Sequence, residues 1–235
     1  MKMKHVTTIL ISIGLLGCNE QTKTTDPKTT ATEIPGQTTS LTQTDIIELD
    51  SVNINFQFRG NCYAYSSKKN AQESKGESHS DNLPKMIDKS FPRSGFYLVI
   101  NQNELSKIDS AVLGCKLYLV NTSDSLINLK ASDSRLYIVA EALNEKNEWI
   151  PISYLLSSVC GNSNHTVKLD KDEYWSFDIP VFKGTIKTKL RYTLAIDKDK
   201  KISSNEIVAF INEGQLDSEN KQPHRSRNLM DPFAK

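Results

Sequence analysis

Between residues 52 and 211, apolar side chains recur at every second position in short runs, and turn residues cut those runs at nearly regular intervals. Helical spacing is nowhere sustained, so the pattern predicts strands and turns. Val52, Ile54, Phe56 and Phe58 alternate with Asn53, Asn55 and Gln57, and Cys62 and Ala64 continue the even face past Gly60. A polar stretch, "SSKKNAQESKGESHSDNLPK", follows and reads as a long loop. Apolar runs then recur at 96–100, 112–120, 126–129, 136–143, 149–150, 166–169, 175–179, 190–196 and 207–211. Between them, "NTSDS", residues 144–147, residues 170–172 and "DKDKK" read as turns. The expected fold class is all-β, an antiparallel sandwich.

The first residues carry a different signal. Lys2, Lys4 and His5 precede an apolar stretch over residues 6–16, which is too short to span a bilayer as a helix. It ends at Leu15-Leu16-Gly17-Cys18, which resembles the lipobox of bacterial lipoproteins. That resemblance implies cleavage before Cys18 and acylation of its sulfur and new amine. Two or more acyl chains hold a protein stably on a membrane. The expected address is the bacterial cell envelope. Asn19, in place of an aspartate, favours the outer membrane. Residues 19–48 are Thr-rich, with Pro27 and Pro35 and little that can be buried, and they read as a flexible tether. As a coil it would span roughly 30 Å on average and about 100 Å when extended.

The expected organisation is a signal peptide (1–17), a lipidated cysteine and tether (18–50), an N-terminal strand with its polar loop (51–104), the sandwich (105–216) and a loose tail (217–235). Removing residues 1–17 takes away two lysines and no acids, leaving 27 basic against 28 acidic side chains from the 29 and 28 of the whole chain. Charge therefore gives no footing for nucleic acid. Cys62, Cys115 and Cys160 remain beside the lipid acceptor. An oxidising envelope permits one disulfide among them, in any of three pairings. Their wide spacing does not suit a metal site.

No catalytic constellation emerges. The chain has no G-x-S-x-G, P-loop, G-x-G-x-x-G or H-E-x-x-H. His79 and His224 fall in polar sequence. His165 follows Cys160 at five residues, with no orienting partner in sight, so a turn cysteine outweighs a nucleophile. Asp170, Asp172 and Glu173, and likewise Asp197 and Asp199, are interrupted by lysines and lack the ligand set of a calcium loop. The expectation is a non-enzyme with no cofactor and no metal. Among the aromatics Trp149, Trp175, Tyr174 and Tyr137, the parity of Trp175 with Phe177 and Ile179 places it inside. Tyr174 then points the other way and is the expected surface aromatic.

Residues 105–216 resemble an immunoglobulin-like module of uncharacterised bacterial envelope lipoproteins. The resemblance rests on "CGNSNHTVKL", "EYWSFDIPVFKG" and "IKTKLRYTL" with "SNEI". It implies an immunoglobulin-like sandwich and no settled activity. Antibody-type domains pair cysteines on the second and sixth strands. Here Cys115 falls on the second strand, Tyr192 stands where its partner would be, and Cys160 sits in a loop. Against that pattern the pairings are Cys115–Cys160 or Cys62–Cys160. Tyr192 reads as a core tyrosine. The segment from "LYLVNTSDS" to "EYWSFDIP" is also similar to small bacterial β-sandwich proteinase inhibitors. The expected role is non-catalytic binding of a protein or glycan. The alternative is proteinase inhibition through a protruding loop.

Overall fold

Period-two sequence gives strands with one apolar face, and such faces are stable only when packed against one another. The computed structural model of the chain describes residues 49–67, 80–109, 112–156 and 161–222. The signal peptide, Cys18, nearly all of the tether, His79, Cys160, His224 and most of the tail lie outside the described residues.

The described chain is all-β. Its strands are β1 (Phe58–Arg59), β2 (Lys85–Met86), β3 (Phe96–Asp109), β4 (Val112–Asn121), β5 (Ile127–Ser132), β6 (Arg135–Leu136) and β7 (Ile138–Leu143). They continue with β8 (Trp149–Pro151), β9 (Ser153–Tyr154), β10 (Asn164–Leu169), β11 (Glu173–Pro180), β12 (Ile186–Ala195), β13 (Lys201–Ser203) and β14 (Ile207–Ile211). One sheet runs in the order β2-β11-β4-β3. A second runs β13-β12-β7-β8, with β14 also on β12, and a smaller one runs β10-β5-β6. Apart from the β1–β9 pair, all these ladders are antiparallel.

The apolar faces meet in one core. Leu98, Leu117, Leu119, Trp175, Phe177 and Ile179 come from the first sheet, and Ile138, Ala140, Leu190, Tyr192, Leu194 and Ile211 from the second. The arrangement is sandwich-like. Trp175 is fully buried, as its parity predicts, and its Nε1 donates to the Tyr65 carbonyl at 3.1 Å.

Two stretches depart from the sequence reading. Val52, Ile54 and Phe58 are buried as predicted, but only Phe58–Arg59 forms a regular strand. The chain is held there by isolated parallel bridges, Val52 to Phe182 and Gln57 to Lys221, and by side chains. Asn55 Oδ1 accepts from the Gly214 amide at 2.8 Å, and Gln57 Nε2 donates to the Pro151 carbonyl at 2.6 Å. Amides therefore do part of the work of a ladder, and alternation of burial survives without a continuous strand. The second departure is β3. Its apolar run covers residues 96–100, yet the strand continues through residue 105 to Asp109. A register shift between Asn101 and Leu105 absorbs the polar residues, and Leu105 re-enters opposite Cys115.

Strand β4 is buried on both faces. Leu117 and Leu119 enter the main core. Tyr118 and Val120 form a second cluster with Tyr174, covered by Ile87 and Phe91 from the segment ahead of β3.

The two long sheets differ at their edges. At Ile100, β3 is clipped by the Asn205 side chain. Asn205 Oδ1 accepts from the Ile100 amide at 2.7 Å, and its Nδ2 donates to the Ile100 carbonyl at 3.2 Å. That occupies the groups through which a further strand would add. Among the described residues, β14 is paired with β12 alone.

Candidate functional site

Strand β11 turns Tyr174, Ser176 and Asp178 to its outer face, opposite Val120, Tyr118 and Lys116 of β4. One end of this face is therefore aromatic and the other polar.

The aromatic end is closed. Tyr174 is buried at 3 % exposure, which corrects its placement as a surface aromatic. Its parity is as read, pointing away from Trp175, but Phe91 lies 5.3 Å from its ring and Tyr118 5.7 Å. Its hydroxyl donates to Asp88 Oδ1 at 3.1 Å. Burial, then the Asp88 carboxylate, pushes the Tyr174 phenol up to about 12. Beside it, Lys89 Nζ reaches Glu104 Oε1 at 2.6 Å and Tyr118 Oη at 2.7 Å. Burial alone would raise the Glu104 carboxyl. Hydrogen bonds from Lys89 and Tyr118, with the lysine charge, outweigh it and hold Glu104 below its ordinary value.

The polar end is open. A pocket of about 440 Å³ is lined there by Asn61, Tyr63, Asn82, Lys116, Ser176 and Asp178, among others. Lys116 Nζ and Asp178 Oδ1 pair across the strands at 2.6 Å. Asn82 Nδ2 donates to the Tyr63 carbonyl at 2.9 Å and to the Ser176 carbonyl at 3.1 Å. Asn61 Nδ2 donates to the Asp178 carbonyl at 3.3 Å. Tyr63 is 39 % exposed. Sequence reasoning passed over it, although its odd position between buried Cys62 and Ala64 already turned it outward.

The other long sheet offers a groove of about 790 Å³ beside β14, lined by Leu143, Lys187, Lys189, Val208 and Leu216, among others. Val208 is 58 % exposed and Phe210 46 %. Lys189 pairs with Glu206 at 2.8 Å. On the same face, Trp149 is half-buried under the Arg191 guanidinium at 4.1 Å, and Arg191 pairs with Glu141 at 2.7 Å. Tyr137 is half-buried.

The remaining sequence candidates do not converge on these surfaces. Cys62 and Cys115 are buried free thiols, so they are not bonded to one another here. Burial pushes Cys62 up to about 12. Burial, then the Asp178 charge, pushes Cys115 up to about 11. Both stay protonated near neutrality, which disarms them as nucleophiles. Tyr192 lies close to both, its hydroxyl buried without a hydrogen-bond partner among the described residues. His165 is buried, with Nδ1 3.0 Å from the Ser163 carbonyl. Asp172 pairs with Arg93, and among the described residues no three His, Cys, Asp or Glu side chains gather as metal ligands.

Comparisons with protein-family models, with curated proteins and with solved structures returned no match.

Proposed function

We propose that this chain is a lipid-anchored protein of the bacterial envelope, carried by Cys18 on the outer membrane, whose immunoglobulin-like sandwich binds a partner protein without catalysis. The observation that carries the binding reading is the open edge of β14. Its sequence, Ile207-Val208-Ala209-Phe210-Ile211, is wholly apolar and uncharged. An edge of this kind, without lysine, proline or a bulge, is the type that proteins usually protect. The protein protects others: β3 wears the Asn205 clip, while β2 and β8 are two and three residues long. The occupant that fits is an extended segment adding to β14 through its main chain. Apolar side chains of that segment would lie beside the exposed Val208 and Phe210.

The test is photo-crosslinking in intact cells from a probe residue at Val208, with Met86, 65 % exposed on the other sheet, as the control position. A partner adduct at Val208 that is absent at Met86 and lost on Phe210→Lys supports the reading. That partner should also slow amide exchange across residues 207–211. Equal labelling at both positions, or none at Val208, defeats it. An adduct of twice the chain's mass replaces the partner with a second copy.

A further inference from the structure

We infer that the open polar pocket on the outer face of the first sheet is a binding site for a neutral saccharide. The inference stands apart from strand docking at β14, since it uses another sheet and other residues.

The volume, about 440 Å³, falls within the range of small-ligand sites. The hydrogen-bonding character of the lining decides the ligand class. Both Nδ2 protons of Asn82 are spent on the carbonyls of Tyr63 and Ser176, which leaves its Oδ1 as an acceptor. Asn61 spends an Nδ2 proton on the Asp178 carbonyl and likewise keeps its Oδ1. Asp178 gives Oδ1 to Lys116 and retains Oδ2. The lining thus offers acceptors on side chains already fixed in place, beside the donors of Lys85 and Lys116.

A ligand complementary to it must bring several donors. A phosphate or carboxylate would be drawn by Lys85 and Lys116, but it brings acceptors only and would leave the Asn61, Asn82 and Asp178 oxygens without donors. An ammonium ion brings donors but would meet Lys85 and Lys116, which also line the pocket. Hydroxyl groups donate without charge, and a sugar ring carries several at fixed spacing. Tyr63 adds what a bare polyol would not need. Its half-exposed ring supplies an apolar face for the C–H side of a pyranose, and its hydroxyl a polar tip.

The experiment is saturation-transfer-difference NMR on the full chain. The probes are hexoses, hexosamines, 6-deoxyhexoses and their β-linked disaccharides, with galacturonate and inorganic phosphate as anionic comparators. A titration of the Asn61 and Asn82 side-chain amide signals accompanies it. At least one neutral sugar should receive saturation and shift both amides. Tyr63→Ala should weaken it roughly tenfold, as expected for loss of a stacking face, while Tyr63→Phe retains most of the affinity. Asp178→Asn should weaken it without abolishing the fold, because the amide keeps an acceptor toward Lys116. The inference is overturned if no neutral sugar shifts those amides, if binding survives Tyr63→Ala unchanged, or if the anions bind more tightly than the sugars.

Discussion

The Tyr192 hydroxyl is a polar group buried in the core near the Cys62 and Cys115 thiols, with no hydrogen-bond partner among the described residues. A buried donor that makes no bond costs about 1–3 kcal/mol in lost hydration. Removing it while keeping the ring recovers part of that cost. Tyr192→Phe should therefore stabilise the chain by about 1 kcal/mol in urea unfolding. A loss of similar size would show that the hydroxyl makes a bond to a neighbouring thiol. Individual side chains were legible in the sequence to the extent that parity decides them. Trp175 inside, Tyr174 on the opposite face and Tyr63 outward all follow from period two. What parity does not contain is whether the outer face is covered. Tyr174 was misplaced for that reason, because Ile87 and Phe91 arrive from a stretch with no periodic signal of its own.

That covering segment is held to the sheet by its rings and by the Lys89 link to Glu104 and Tyr118. Glu104 sits in the shifted part of β3, between Asn101 and Leu105, where the regular pairing with β4 is interrupted. Its carboxyl titrates below the ordinary value of 4.5 in the folded chain. A lowered carboxyl stabilises the fold fully above that ordinary value, and the contribution fades as pH falls through the lower folded value. Glu104 is part-exposed, which keeps the effect modest. The near-UV dichroism of the tyrosine cluster should decline on acidification below about 4.5. In Glu104→Gln it should start weaker and stay flat over the same range. Equal acid sensitivity in both proteins would assign the transition elsewhere. The link was invisible in the sequence because it joins residues 15 apart through a bulge. The longer strands from residue 112 onward were legible, since their alternation is local, whereas the short β9 and β13 were not, Lys201 of β13 lying within the "DKDKK" that reads as a turn. Residues 52–64 show the limit. They alternate as a strand does, yet parallel bridges and asparagine side chains supply much of their pairing, and neither leaves a periodic trace.

At the scale of the whole molecule, an open edge such as β14 is a hazard for a protein free to diffuse and collide with its own copies. The proposed anchoring at Cys18 would restrict those collisions to a surface. The anchor is therefore part of the binding proposal, and it can be tested separately from the partner. A single acyl chain holds a protein only marginally, whereas the modified cysteine of a lipoprotein carries two or more. Cys18→Ala removes the acceptor and should move the protein from the membrane pellet to the soluble periplasmic fraction, and from the detergent phase to the aqueous phase on cloud-point separation. Its urea midpoint should not change, because the core residues lie between Val52 and Ile211. Retention of Cys18→Ala in the membrane would remove the lipid from the proposal and leave the apolar run at residues 6–16 as the remaining candidate for the attachment.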